Sequence, residues 1–156
     1  MTEQLGPAEA RSINSVLSLD VRQGHQVANH GFSHQRMHRM PWRDALAEVE
    51  RTHALLERTV GEPLARDFRP PFGQFSLPLL AALGSRGYRS VFWSMDSRDW
   101  GIQSADEIVA LLGAQGASGG DVILFHDDYA HTVAALPRII EMLRDRRLGF
   151  GRVRDL

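Results

Sequence analysis

The residues of this sequence that could perform chemistry fall into four short clusters, each directly after a segment that predicts a β-strand. The clusters are His30-Gly-Phe-Ser-His34, Arg69-Pro-Pro-Phe-Gly73, Asp96-Ser-Arg-Asp99-Trp100 and His126-Asp127-Asp128. In parallel α/β folds the carboxyl ends of the strands meet at one edge, where ligands bind and reactions take place. We therefore expect the four clusters to lie at one edge of a sheet.

His30 and His34 are candidate metal ligands. Their spacing of four residues is the one at which zinc-binding helices present two imidazoles on one face, so it predicts a helical turn. Seven histidines among 156 residues make close pairs common by chance, and two surface histidines are the alternative interpretation. Four further histidines are predicted to be structural: His25, His38, His53 and His131.

The segment Arg69-Pro-Pro-Phe-Gly73 predicts a rigid turn, because two consecutive prolines fix the backbone. Such a turn holds the arginine in one direction and points the backbone N–H groups of Phe72 and Gly73 into a cleft. Donors fixed in this way suit the stabilisation of an oxyanion. The alternative is an ordinary loop in which Arg69 pairs with a surface carboxylate.

His126 directly follows Val122–Phe125, an apolar run typical of a buried strand. A histidine in this position suits acid–base chemistry, with a hydrogen-bonded core histidine as the alternative. Asp99 and Trp100 follow another predicted strand, where the carboxylate could orient a partner and the indole could form the wall of a sugar-sized groove. For these two residues the alternative is the plain end of a strand.

Helices and strands alternate along the chain and must position these clusters. The predicted helices are Pro7–Arg22, a segment from Trp42 to Val60 closed by Gly61, about Leu77–Arg86 behind Ser76, a segment capped by Ser104 and Glu107, and about Val133–Leu148. The predicted strands are His25–Asn29, a short piece ending near Phe68, Tyr88–Met95, Val122–Phe125 and a short strand near Phe150–Val153. This order predicts an α/β fold of parallel strands joined by crossover helices, either an open sheet or part of a barrel.

The composition excludes several classes of protein. All 18 basic residues are arginine, so Schiff-base, pyridoxal phosphate and P-loop chemistry, which need a lysine, are excluded. The chain has no cysteine, so it has no thiol nucleophile and any metal must bind to histidine and carboxylate ligands. A net charge of −1 does not indicate a nucleic-acid partner, and the sequence shows neither an export signal nor a membrane span.

Taken in order, the motifs resemble the polysaccharide deacetylases of the NodB-homology type, carbohydrate esterase family 4. The resemblance rests on the first three clusters together with Leu124-Phe-His126, and it extends from about Gly24 to Leu156. It implies a distorted parallel (β/α) barrel of the glycoside hydrolase/deacetylase type. The implied reaction is the metal-dependent hydrolysis of an N-acetyl or O-acetyl group on an oligo- or polysaccharide.

The resemblance also implies a role for each matching residue. His30 and His34 bind a divalent ion, zinc above all, with cobalt or manganese as alternatives. Phe72 and Gly73 belong to the oxyanion site, and Arg69 holds the general base.

In the second half of the chain, the resemblance makes His126 the general acid that protonates the departing amine or alcohol. Asp99 holds His126 in place. Trp100 and Leu124 shape the walls around the acetyl group.

The sequence departs from the family at its start. Nothing before Gly24 is similar to the Thr-Phe-Asp-Asp-Gly type of motif that supplies the general base and a third metal ligand. We therefore expect residues 1–156 to form a single N-terminally truncated domain, a partial barrel that lacks its first strands. Catalytic zinc normally has three protein ligands, so we also expect weak metal binding and weak or absent activity.

Two further expectations follow from this departure. The alternative function is a non-catalytic glycan-binding or interaction domain that keeps the groove around Trp100. A sheet without its first strands exposes an apolar edge, which favours self-association. The compartment is not indicated by this chain, although members of the family are often secreted or on the cell surface.

Overall fold

In the computed structural model, which describes residues 20–156, helices alternate with short parallel strands. Residues 20–22 are helical, and the rest of the helix predicted over Pro7–Arg22 lies outside the described residues. The helices that follow are α1 Trp42–Val60, α2 Leu77–Ser85, α3 Ala105–Gln115 and α4 Ala130–Asp145, with short 3-10 helices at Met37–Arg39, Pro71–Gly73 and Val153–Asp155. Within the described part of the chain, no helix has both the length and the apolar character that crossing a bilayer requires.

The predicted helices form because their apolar residues recur at helical spacing. On α1 the buried residues Leu46, Val49 and His53 follow the predicted stripe, and His53 is the structural histidine that the stripe implied. The helix ends at Gly61, whose φ of 85° lies in the left-handed region. Helix α3 begins as predicted, with the Ser104 hydroxyl accepting from the Glu107 N–H.

The strands are shorter than the sequence predicts. They are β1 Asp67–Phe68, β2 Arg89–Ser90, β3 Met95–Asp96 and β4 Ile123–Leu124. β1 pairs with β2 and β3 pairs with β4, both in parallel, as the alternation of helices and strands predicts. The segment predicted as a strand over His25–Asn29 makes one parallel bridge, from Asn29 to Phe68.

Two strand predictions are wrong. The strand predicted over Tyr88–Met95 is interrupted. Its first part is β2, which pairs with β1, and its last residue belongs to β3, which pairs with β4. The strand predicted near Phe150–Val153 is replaced by a 3-10 turn. The backbone bonds of this turn are local, from the Asp155 N–H to the Arg152 carbonyl and from the Leu156 N–H to the Val153 carbonyl.

The chain forms two compact units, the first ending at Phe92 and the second beginning at Trp93. In the first unit, α1 and α2 cover the β1–β2 pair with an apolar core of Met37, Ala45, Leu46, Val49, Phe68, Leu79, Leu83 and Tyr88. In the second unit, the core joins β3 to α3 and α4 through Met95, Ile108, Leu112, Ala135, Ile139 and Leu143. Each unit thus carries its site residues on a framework with its own core.

Candidate functional site

In the first unit, a loop brings the imidazoles of His30 and His34 together. Their ring centroids are 4.9 Å apart in an edge-to-face arrangement. The helical turn predicted from their spacing is wrong, because Gly31 has a φ of 86° and His34 a φ of 52°, and neither value occurs in an α-helix. The two rings therefore meet through a reversal of the backbone.

Side chains from α1 and the preceding segment hold this loop. The Asn29 side chain is buried, its Nδ2 donates to the Val49 carbonyl at 2.7 Å, and its Oδ1 accepts from the Gly31 N–H at 2.9 Å. The Glu48 carboxylate accepts from both the hydroxyl of Ser33, at 2.6 Å, and its N–H, at 3.1 Å. The loop that carries the two histidines is thus held by hydrogen bonds to α1.

The hydrogen bond of His30 sets its tautomer. Its Nδ1 lies 2.7 Å from the Arg69 carbonyl oxygen, which can only accept, so Nδ1 carries the hydrogen and Nε2 carries the lone pair. Metal-binding histidines commonly have such a contact at the second ring nitrogen. The chemistry of this pair therefore fits two ligand positions of a divalent ion, while residues 20–156 contain no group of three or more potential ligands.

The predicted turn after Arg69 is a 3-10 turn over Pro71–Gly73, with a φ of 59° at Phe72. The N–H of Gly73 donates to the Pro70 carbonyl at 3.0 Å within this turn. The prediction that both Phe72 and Gly73 point their N–H groups into a cleft is therefore wrong for Gly73, because its N–H donates within the turn. The Phe72 ring is half exposed and lies 4.9 Å from the ring of His34.

Arg69 is half-buried, and this burial lowers the pKa of its guanidinium, which nevertheless stays charged at neutral pH. Its own backbone N–H donates to the Asn29 carbonyl at 2.9 Å. Together with the bond from His30, this ties the Arg69 backbone to the loop that carries the histidine pair.

In the second unit, Asp99 and His126 form the pair that the family resemblance implies. Nδ1 of His126 lies 2.7 Å from Oδ1 of Asp99, and the His126 backbone N–H donates to Oδ2 at 2.7 Å. The Asp99 side chain has no exposed surface, whereas 39% of the His126 side chain is exposed. One edge of the imidazole thus contacts a buried carboxylate and the other reaches the surface.

The Asp99 carboxylate is anionic despite its burial. Burial by itself raises the pKa of this carboxyl, but hydrogen bonds from His126, Thr132 and Ser97 outweigh it and hold the pKa below its usual value. Thr132 donates to Oδ2 at 2.9 Å, and Nε2 of His131 lies 2.8 Å from the Asp99 carbonyl oxygen. Sequence reasoning missed Thr132 and assigned His131 only a structural role, because both lie more than 30 residues from Asp99 and carry no motif of their own.

The proposed wall residues differ in exposure. The Trp100 side chain is 62% exposed, whereas Leu124 is buried in β4. Asp127 and Asp128 are exposed residues between β4 and α4. In the second unit, Trp100 therefore offers a free aromatic surface beside the buried Asp99.

The sequence and the structure were compared with known proteins. The polysaccharide deacetylase family model matches residues 7–91. The chitooligosaccharide deacetylase of Sinorhizobium fredii is 33% identical over 139 residues, which cover 81% of this chain and 64% of that protein. The bifunctional xylanase/xylan deacetylase of Cellvibrio japonicus is 33% identical over 129 residues, which cover 82% of this chain and 19% of that protein. The chain thus spans less than two thirds of either relative.

Solved structures share the fold. A family 4 carbohydrate esterase from Streptomyces lividans, solved in complex with acetate, superposes with a TM-score of 0.82 at 33% identity and covers 92% of this chain and 73% of that one. The peptidoglycan deacetylase of Bacillus subtilis, as a point mutant, superposes with a TM-score of 0.84 at 25% identity and covers 95% and 71%. The mixed α/β fold is therefore the fold of these enzymes.

Proposed function

This chain belongs to the polysaccharide deacetylase family, and we propose that it removes acetyl groups from a glycan by metal-dependent hydrolysis. The relatives named above are a chitooligosaccharide deacetylase and a xylan deacetylase. An acetylated oligo- or polysaccharide is therefore the proposed substrate class. An N-acetyl group makes the reaction the hydrolysis of a carbon–nitrogen bond other than a peptide bond.

The observation that carries the proposal is the Asp99–His126 pair. With Nδ1 held by the carboxylate, Nε2 of His126 is the nitrogen that takes up and releases a proton. The buried carboxylate also fixes the orientation of the ring, as a general acid requires. We assign His126 the protonation of the departing amine or alcohol, and Asp99 the orientation of its ring.

In the first unit, His30 and His34 would hold the divalent ion, with zinc the first choice. When bound, such an ion activates water and polarises an acyl carbonyl. The Phe72 N–H would donate to the oxyanion, and the Arg69 cation would hold a carboxylate that acts as base. Catalytic zinc normally has three protein ligands, and the two imidazoles would be two of them.

We extend the proposal to the architecture and to substrate contact. Residues 1–156 would form one domain of the distorted parallel (β/α) barrel type, which the parallel β1–β2 and β3–β4 pairs support. Trp100 would pack against a sugar ring, and Leu124 would support the wall of the acetyl site from its buried position.

Zinc titration of the whole chain tests the proposal, beside His30→Ala and His34→Ala and with acetate release from an acetylated chito-oligomer measured in the same samples. One-to-one zinc binding that each substitution weakens by at least ~100-fold, together with release of acetate, is the expected result. Acetate release that continues after metal is removed with a chelator would contradict metal dependence.

A second candidate function is glycan binding without turnover, and the exposed indole of Trp100 favours it. Binding of the chito-oligomer would then survive both His126→Ala and metal removal, and it would fall with Trp100→Ala. Acetate release that stops in His126→Ala would reject this alternative.

A further inference from the structure

Asp99 makes several hydrogen bonds besides the one that holds the His126 ring. Its Oδ1 faces the His126 ring, while Oδ2 accepts both the His126 N–H, at 2.7 Å, and the Thr132 hydroxyl, at 2.9 Å. Its carbonyl oxygen lies 2.8 Å from Nε2 of His131, and its own N–H donates to the Ser97 hydroxyl at 3.4 Å. Both the side chain and the backbone of Asp99 are therefore held.

The two oxygens of the carboxylate have different tasks. A carboxylate bound only through Oδ1 could rotate about its terminal bond, whose rotamer wells are broad. Two groups donate to Oδ2 and oppose this rotation. They are the N–H of His126, which follows β4, and the hydroxyl of Thr132 in α4. Both the ring and the N–H bound to the carboxylate belong to His126, so the Thr132 hydroxyl is the contact that ties the carboxylate plane to a different element, α4.

The first turn of α4 supplies two neighbouring contacts. Thr132 N–H donates to the Tyr129 carbonyl at 3.0 Å, so the hydroxyl-bearing residue is fixed by the helix start. The ring of His131 stacks on Tyr129, with centroids 5.1 Å apart and planes 12° apart. Thr132 is 1% exposed, so water cannot replace its hydroxyl.

We propose that Thr132 and His131, here called the positioning pair, orient Asp99 and thereby keep the hydrogen of His126 on Nδ1 and its lone pair on Nε2. His131 contributes by donating Nε2–H to the Asp99 carbonyl, which fixes the backbone from which the carboxylate extends. Thr132 contributes the hydroxyl that sets the carboxylate plane. Neither residue touches the reacting atoms, and the consequence for catalysis rests on the proposed function.

The test compares Thr132→Val, which keeps the branched shape and removes the hydroxyl, with Thr132→Ser, which keeps the hydroxyl. The tautomer of His126 is read from its imidazole ¹⁵N shifts in alkaline buffer, where the ring is neutral. Wild type and Thr132→Ser are expected to show the Nδ1–H form, and Thr132→Val a mixture of both tautomers. Thr52→Val is the matched control, because Thr52 is a buried helical threonine of the first unit whose hydroxyl donates to the Glu48 carbonyl of its own helix at 2.8 Å.

Kinetics give the second measurement. In Thr132→Val, kcat for acetate release should fall about 10-fold or more, a part of the ~10²–10⁴-fold that a positioned acid contributes, with KM unchanged. Thr132→Ser, which keeps the hydroxyl, should keep the kcat of the wild type. If the wild type releases no acetate but the tautomers change as expected, the proposed function fails and the positioning pair stands.

Two results would overturn the inference. The first is a Thr132→Val protein that keeps the wild-type tautomer, and the second is a Thr132→Ser protein that behaves like Thr132→Val. If Thr132→Val does not fold, exchange of the Thr132 hydroxyl proton in the wild type decides the question. A buried donor to Asp99 predicts slow exchange, and fast exchange would reject it.

Discussion

The two units place their histidines in different electrostatic surroundings. In the first unit, His30 contacts the Arg69 carbonyl and the ring of His34, which in turn lies against Phe72. In the second unit, the His126 ring contacts the buried carboxylate of Asp99. A carbonyl fixes an imidazole without adding charge, so its second nitrogen can bind a cation. The Asp99 carboxylate holds the His126 ring through Nδ1 and leaves Nε2 for proton transfer.

The largest effects should come from the second unit. His126→Ala and Asp99→Asn are each expected to reduce the rate of acetate release by about 10³-fold or more. The first substitution removes the acid, and the second no longer holds the hydrogen of His126 on Nδ1. Zinc affinity should stay unchanged in both variants. Acetate assays and zinc titrations on the same samples check this.

The double variant sharpens the same point. Since Asp99 acts through His126, combining the two substitutions should be no worse than His126→Ala alone. A double variant much slower than either single variant would show that Asp99 has a separate role.

The reverse pattern is expected in the first unit. His30→Ala and His34→Ala should each weaken zinc binding by at least ~100-fold. Loss of a group that hydrogen-bonds to a metal ligand lowers metal affinity by up to about 100-fold, and loss of the ligand itself should lower it at least as much. The His126 tautomer should be unaffected. A zinc affinity that survives either substitution would separate the histidine pair from metal binding.

A smaller effect is expected from the loop that joins the histidines. Gly31→Ala should destabilise the protein by the ~1–2 kcal/mol that a left-handed backbone costs a non-glycine residue, plus the cost of displacing the terminal methyl group of the buried Met37, which the new Cβ would meet. Gly61→Ala is the control, with a φ of 85° and no atom within 4 Å of the added Cβ. Denaturant unfolding of both variants measures the difference, and equal losses would rule out a contribution from the clash.

The smallest effect is a dependence of stability on pH. The pKa of Asp99 is lower in the folded protein than the unfolded value of about 3.9, so the carboxylate stabilises the fold above that value. This contribution should be lost as the pH falls through the folded pKa. Asp99→Asn should flatten the acid side of the curve of unfolding free energy against pH, and a curve parallel to the wild type would contradict the assignment.

Local pattern was sufficient for the helices and for much of the candidate sites. The apolar stripe on α1, its end at Gly61 and the cap at Ser104 follow from residues within a few positions of each other. The topology of parallel strands placed Asp99 and His126 after strands at one edge, and the family resemblance implied the contact that the structure shows. These features depend on short-range periodicity or on one topological rule.

The four-residue spacing of His30 and His34 gave the correct neighbours with the wrong backbone. A helix and a reversed loop can both bring such residues together, and the choice here depends on bonds to α1, from Asn29 to Val49 and from Ser33 to Glu48. Those partners lie 20 and 15 residues further along the chain, respectively. No local pattern encodes them.

The sequence by itself determined the family motifs, the chemistry available without lysine or cysteine, and the helices whose stripes must be buried. Only the tertiary structure decided that the Gly73 N–H donates within a turn and that Thr132 and His131 bind Asp99. The physical reason is that a buried polar atom must find its partner wherever the packed elements bring one. Which partner that is depends on how α4 packs in its unit, and residue type and spacing do not specify it.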